Sequence, residues 1–296
     1  MRVHQVKTSS DPIESTGLLV VRTVADLRRA VAGFRKVGRT IGLVPTMGAL
    51  HEGHVSLVKG ALERGDVPVT SIFVNPTQFG PKEDFSAYPR DEQGDFDKLR
   101  DAQCRIVFAP TKDEMYPGEQ LTTVTVAGIT DGLCGPLRPG HFQGVATVVS
   151  KLLLMAMPDR AYFGEKDYQQ LQVIKRMVHD LAMPFEIVGM PTVRETDGLA
   201  MSSRNRYLSA EERTKALVMY KQLVKVADTV RDGTKSCADA TAAASQALRD
   251  GGFDIVEYFT VVDADSLKPL ERVSGPARVI AAARLGRTRL IDNLAV

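Results

Sequence analysis

The chain has 296 residues, 44% hydrophobic and 25% charged, the make-up of a globular protein with one large domain or two ordinary ones. Its net charge is only +2 and no stretch carries a dense Lys/Arg stripe, so a small-molecule ligand is favoured and no nucleic-acid partner is expected. Cys104, Cys134 and Cys237 are far apart, with neither metal-ligand spacing nor a disulfide framework, and read as reduced thiols of a cytoplasmic protein.

Met1 to Gly17 is polar and lacks the apolar core of a signal peptide, so residues 1–18 are expected to be a mobile extension, with His4 ordinary within it. Val24 to Val37 is predicted helical, with Val24, Leu27, Val31 and Phe34 on one face. A strand over Thr40–Val44 leads through a tight turn into a helix from His54 to Arg64. A strand over Val67–Val74, a helix over Asp91–Ala102 and a strand over Arg105–Ala109 follow. The helix predicted over Gly144–Met157 has its apolar run broken by Ser150 and Lys151, so it reads as a core helix and no membrane span is expected. A strand over Arg160–Phe163, a helix over Tyr168–Leu181 (with an ordinary His179) and a strand over Phe185–Gly189 complete the alternation. That order implies an α/β, Rossmann-like, doubly wound parallel sheet with helices on both faces, covering residues 19–193. Two helices, Ala210–Arg231 and Cys237–Arg249, then precede strands at Ile255–Val262, Arg278–Ala283 and Thr288–Leu294. They imply a smaller α+β domain over residues 194–296, with the boundary near Val193–Leu199, where Arg194-Glu195-Thr196-Asp197-Gly198 reads as an exposed turn.

Several polar segments follow the strands of the first domain, and strand ends on one edge of a parallel sheet converge on one crevice. His51-Glu52-Gly53-His54 opens a helix after a buried strand. Free backbone N–H groups, the positive end of the helix and two imidazoles would make an anion site there, suited to a triphosphate. Gly48 and Gly53 suit a turn whose backbone approaches a ligand. Asn75-Pro76 fits simple turn chemistry, whereas the Gln78 amide can both donate and accept. Lys166, between Glu165 and Asp167 after the strand ending at Phe163, fits a phosphate partner, and Asp167 suits either a ribose diol or a helix cap. Gln170, alone, is an ordinary helix-surface residue. Met201-Ser202-Ser203-Arg204-Asn205 places two hydroxyls and a guanidinium in a row beside the domain boundary. It reads as a movable phosphate clamp, because the helix-capping alternative is already met by Ser209 with Glu212. Arg138-Pro139-Gly140-His141-Phe142 adds a cation and an imidazole. Asp84, Asp91, Asp95 and Asp97 are candidates for holding Mg²⁺ through a triphosphate, each equally readable as a solvated carboxylate.

The run from Val44 to His54 resembles the signature of the pantoate–β-alanine ligase family, as do Ser71–Phe79, Phe163–Gln170, Pro191–Glu195 and Asp197–Asn205, in the family's order. The resemblance covers about Leu19 to the C-terminus and not residues 1–18. It implies an ATP-dependent ligase in which pantoate is activated as pantoyl adenylate, with release of pyrophosphate, and then condensed with β-alanine, with release of AMP. It also implies an ATP site of Met47, Gly48, Ala49, Leu50, His51, Glu52, Gly53, His54, Gly164, Glu165, Lys166, Asp167, Val193, Met201, Ser202, Ser203 and Arg204. His51, His54, Lys166, Ser202, Ser203 and Arg204 would serve the chemistry, His54 as a proton donor or as a neutral N–H donor. Gln78 and Gln170 would hold pantoate, with Asn75, Arg138 and His141 as further substrate-binding candidates and Mg²⁺ at Asp95. A homodimer in the cytoplasm is implied. A nucleotidyltransferase that leaves the nucleotide on its product, and a non-enzymatic nucleotide sensor, are the competing readings.

Overall fold

Apolar runs that can be buried on both faces become the central strands. Ile41, Leu43, Val44, Val67 and Val69 are all 2% exposed or less. The structure, a computed structural model, describes residues 17–81 and 83–296. The expected extension over 1–18 therefore lies, apart from Gly17 and Leu18, outside the described residues.

The large sheet comprises β1 (Leu19–Val21), β2 (Ile41–Thr46), β3 (Val67–Ile72), β4 (Ile106–Phe108), β5 (Arg160–Gly164) and β6 (Glu186–Met190). Its order is β1-β4-β3-β2-β5-β6, every pairing parallel. Crossovers are made by α1 (Val24–Lys36), α2 (Glu52–Glu63), α3 (Glu92–Asp101), the short α4 (Lys112–Met115) and α5 (Cys134–Leu137), then α6 (His141–Ala156) and α7 (Tyr168–Asp180). Strand order reverses between β2 and β5, so a crevice opens beyond their carboxyl ends.

The second unit packs α8 (Ala210–Arg231) and α9 (Cys237–Asp250) on an antiparallel sheet of β7 (Ile255–Asp263), β8 (Ala277–Leu285) and β9 (Thr288–Ala295). It has its own core, built on Leu223, Val226, Leu248, Val279 and Leu285. Ser209 and Glu212 form the capping box expected at the start of α8.

Three expectations differ from the structure. Helix α2 starts at Glu52 rather than His54 because the His51 ring itself caps it. Helix α6 starts at His141, three residues before Gly144, off a left-handed Gly140. The turn expected at 194–198 is present, with Thr196 and Asp197 exposed, but Arg194 is drawn in: its side chain is 15% exposed and ion-paired to Asp292. All three cysteines are buried and unpaired. Among the described residues, no helix is long and apolar enough to cross a membrane.

Candidate active site

The turn after β2 is drawn tight by Gly48 (φ +78°) and Ala49 (φ +50°). A side chain on Gly48 would be strained and would meet Asp95 Oδ2 at 3.0 Å. That carboxylate, 1% exposed, accepts from Ala49 N at 2.8 Å and Leu50 N at 2.7 Å. His51 is the cap of α2: its Nδ1 accepts from Gly53 N at 3.1 Å, while His54 Nδ1 accepts from His51 N at 3.3 Å. The Gly48 amide goes to Thr46 Oγ1 and that of His54 to His51 O. The backbone N–H groups of Gly48, Ala49, Leu50, His51, Gly53 and His54 thus all have acceptors inside the protein. The expectation of free amides at this helix start therefore does not hold for these six, and the two imidazoles stand beside them on the crevice wall.

The same bonds set the imidazole tautomers. A ring nitrogen that accepts from a backbone amide carries no proton, so each ring has its proton on Nε2. Burial, with Lys166 beside it, pushes His51 down to about 4. Burial, with His51 beside it, pushes His54 down to about 3. The rings lie 4.1 Å apart and are neutral at pH 7, a pair of uncharged Nε2–H donors.

Gln78 is placed by its surroundings. Asn75, 1% exposed, donates through Nδ2 to Gln78 Oε1 at 3.1 Å and to Gly144 O at 3.2 Å, and accepts from the Tyr116 hydroxyl at 2.8 Å. Gly144 permits this closeness, since a Cβ there would collide with Thr77 O. With Oε1 occupied, Gln78 turns its Nε2 toward Met47 Sδ, 3.2 Å away. His141 takes the opposite tautomer: Nδ1 donates to Gln78 O at 2.9 Å, and Nε2 accepts from Arg138 Nη1 at 2.9 Å. Burial and Arg138 lower it to about 4. Arg138 also makes a two-bond pair with Glu83, at 2.6 and 2.7 Å. Burial would raise the Glu83 carboxyl, but the Arg138 hydrogen bonds and charge outweigh it and hold it at about 2.

Lys166 sits in the turn Glu165–Asp167 between β5 and α7, with Asp167 3.7 Å away. Arg204 is gripped in two bonds by Asp84, at 2.9 and 2.8 Å. Ser203 Oγ donates to Ala49 O at 3.1 Å, fastening the serine–arginine segment to the histidine turn. Ser202 Oγ caps the Arg204 amide at 3.3 Å.

One crevice of about 230 Å³ brings most of these groups together. Its wall holds both imidazoles, Gly53, Gly164, Lys166, Asp167, Val193 and Met201 to Arg204 from the expected nucleotide residues. It also holds Met47 and the substrate candidates Asn75, Gln78, Arg138, His141 and Gln170, over an apolar floor of Phe73, Val145, Val149 and Phe163. Gly48, Ala49, Leu50, Glu52 and Glu165 are not on it. Ala49 and Leu50 are buried beneath, Glu52 points outward to Lys59, and Glu165 turns away to Arg278. An adjoining hollow of about 340 Å³ shares Arg138, Lys166, Asp167, Ser202 and Arg204 with the crevice. A larger hollow of about 1110 Å³, between the 124–133 loop and α7, carries none of these groups, so chemistry rather than size locates the site.

The acidic candidates do not fit a metal directly. Asp95 has both oxygens on backbone amides, Asp84 holds Arg204, Asp91 caps α3, and Asp97 is paired with Arg100. No group of three or more His, Cys, Asp or Glu among the described residues could hold an ion. Sequence reasoning missed Glu83, Asp292 and Asn293, whose partners lie far off in the chain.

A family model described as pantoate-beta-alanine ligase matches residues 19–295. The chain is 56% identical over 282 residues to a pantothenate synthetase of Paramagnetospirillum magneticum, a match covering 95% of this chain and 99% of that protein. It is similar to the crystal structure of a pantothenate synthetase from Thermus thermophilus, with TM-score 0.87 and 49% identity over 93% of this chain and 98% of that one. A pantoate-beta-alanine ligase from Francisella tularensis, solved in complex with beta-gamma ATP and beta-alanine, gives TM-score 0.79 and 33% identity over 94% and 97%.

Proposed function

The chain belongs to the pantoate–β-alanine ligase family, and we infer that it joins pantoate to β-alanine with ATP through a pantoyl-adenylate intermediate. A pantoate carboxylate oxygen attacks the α-phosphorus of ATP, and the bond to pyrophosphate breaks with the electron pair leaving on pyrophosphate. The amine of β-alanine then attacks the acyl carbon, AMP departs, and the amine gives up a proton to form the amide. The substrate supplies the nucleophile, so no activated protein side chain is required.

The observation that carries this reading is the convergence of Lys166, the two imidazole donors and Ser202–Arg204 on one crevice at the strand-order reversal. Two anions that repel in water must be held together there. Fixing reactants in line supplies up to ~7–11 kcal/mol of a barrier, and one well-aimed donor adds roughly 3–4 kcal/mol. Lys166 and Arg204 supply charge to the phosphates, and His51 and His54 donate neutral hydrogen bonds. Gln78, oriented by Asn75, and Gln170 hold pantoate above the apolar floor, with Arg138 and His141 beside them. Asp167 is suited to the ribose. Mg²⁺ would accompany ATP through phosphate oxygens and water, neutralising part of their charge, rather than through Asp95.

The two units divide at 193/194 in this reading, and the protein works in the cytoplasm as a homodimer. A monomer mass by sedimentation would remove the last point. The decisive assay incubates the protein with ATP, Mg²⁺ and pantoate and follows pyrophosphate, then adds β-alanine and follows pantothenate and AMP. Pyrophosphate release that ignores pantoate, or a stable nucleotide-linked product, would overturn the reading.

A further inference from the structure

The turn that presents Lys166 is gripped from the other unit, by the last strand of the small sheet. Asn293 on β9 is 2% exposed, and its Nδ2 donates to both Glu165 O and Lys166 O, each at 2.9 Å. Its Oδ1 accepts from Arg278 Nη1 at 2.5 Å, so the amide has one possible orientation. Arg278 in turn binds Glu165 Oε2 at 2.6 Å and lies 3.8 Å over the Tyr168 ring. The preceding residue reaches the other phosphate-binding segment. Asp292, 4% exposed, pairs with Arg194 in two bonds of 2.6 and 2.9 Å. Arg194 also donates to Gly198 O at 3.1 Å and to Asn293 O at 3.2 Å. Residues 194 and 200 are bridged, and Met201 N bonds Val193 O at 3.0 Å, so the base of the serine–arginine segment is paired with the stretch that this guanidinium anchors to β9.

We propose that Asn293 and Asp292 are positioning residues for the first half-reaction: β9 ties the Lys166 turn to the Ser202–Arg204 segment, so that both cations meet the triphosphate in one fixed relation. This rests on the ligase reading above. Neither residue touches substrate in this scheme. Asn293 acts through two carbonyls on the backbone that carries Lys166, and Asp292 through Arg194. Buried, fully bonded amides and ion pairs hold their partners in single arrangements.

The test uses Asn293→Asp, which keeps shape and the Arg278 pair but replaces two donated bonds by lone pairs facing two carbonyls. Tyr162→Phe, which loses a buried bond to Asp66 at the opposite end of the sheet, is the control for general destabilisation. Pyrophosphate release per active site should fall about 10–100-fold in Asn293→Asp, as for a misplacement of about 1 Å in a reacting constellation. The KM for ATP should rise and the KM for pantoate should not. Supplied pantoyl adenylate should still react with β-alanine at the parent rate, because no pyrophosphate is held in that step. Tyr162→Phe should lower Tm with both half-reactions unchanged. Should Asn293→Asp not fold, Asp292→Asn is measured for the same split. Equal losses in both half-reactions, or a normal KM for ATP with fewer active sites, would overturn the proposal and leave β9 a structural support. A parent enzyme without pantoate-dependent pyrophosphate release would instead refute the ligase reading.

Discussion

The histidine pair makes a quantitative prediction about acid stability. His51 and His54 are held near 4 and 3 in the folded protein against an ordinary 6.5. Folding therefore excludes protons that the unfolded chain would bind. The sign follows: the contribution is fully present above pH 6.5 and is lost as pH falls from there toward 4 and 3. At pH 5 an unfolded imidazole is almost fully protonated while the folded one is not, which costs about 2 kcal/mol per ring relative to pH 7. This figure requires that the folded value lie well below 5, where burial holds both rings. His54→Gln removes one such ring while leaving an N–H donor near the former Nε2. Urea unfolding of ligand-free protein at pH 7 and pH 5 is the assay. Carboxylates such as Asp292, raised by burial, contribute with the opposite sign but cancel in the comparison of parent with variant. His54→Gln should lose about 2 kcal/mol less than the parent over this interval. Equal losses would mean that His54 titrates normally and is no neutral donor. Activity gives the companion result: Gln should retain more adenylation than Ala at this position, and equal inactivity would favour a proton-transfer role.

Lys166→Ala should lower pantoate-dependent pyrophosphate release by roughly two orders of magnitude or more, with the unfolding midpoint little changed. A near-parent rate in single-turnover measurements would remove Lys166 from the phosphate site. Gln78→Ala should chiefly raise the KM for pantoate, leaving that for ATP close to the parent, and an unchanged pantoate dependence would refute its placement. Asp95→Asn sets an amide donor against one of two backbone donors and should cost about 1–3 kcal/mol of stability, while the Mg²⁺ concentration for half-activation stays the same. A large shift in that concentration would make Asp95 a metal ligand after all.

Much of the fold is legible in the sequence because its signals are local. Buried parallel strands are short apolar runs, and the helices between them carry one apolar face, so the β-α alternation follows directly. The same reasoning finds Lys166 and the serine–arginine segment, since each follows a strand or borders the second unit. It places α2 two residues late because a capping imidazole does not look like Ser, Thr, Asp or Asn. It passes over β1, whose three residues are too few for any periodicity. Glu83 meets Arg138 across 55 positions and Asn293 meets Glu165 across 128, so no spacing rule reaches them. The one available sign is compositional: Asp292-Asn293 puts two polar residues in succession inside a strand that otherwise reads as half-buried.

The charge arrangement explains how such a crevice can gather cations and remain folded without its substrates. Arg138 and Arg204 are each held by two bonds to neighbouring carboxylates, Glu83 and Asp84, on one loop, and Lys166 has Asp167 at a looser 3.7 Å. The histidines add donors without adding charge, which avoids two further cations repelling these three. An uncompensated buried charge costs several kcal/mol, so on the proposed reading these carboxylates serve as partners until phosphate and carboxylate bind. The looser lysine is the group that can engage a phosphate without first giving up a two-bond partner. In the proposed reading Arg204 would exchange Asp84 for phosphate or share it, since a carboxylate and a phosphate can each accept two parallel bonds from a guanidinium. The loop bearing Glu83 and Asp84 therefore balances two of the crevice's cations and lines the hollow that adjoins it.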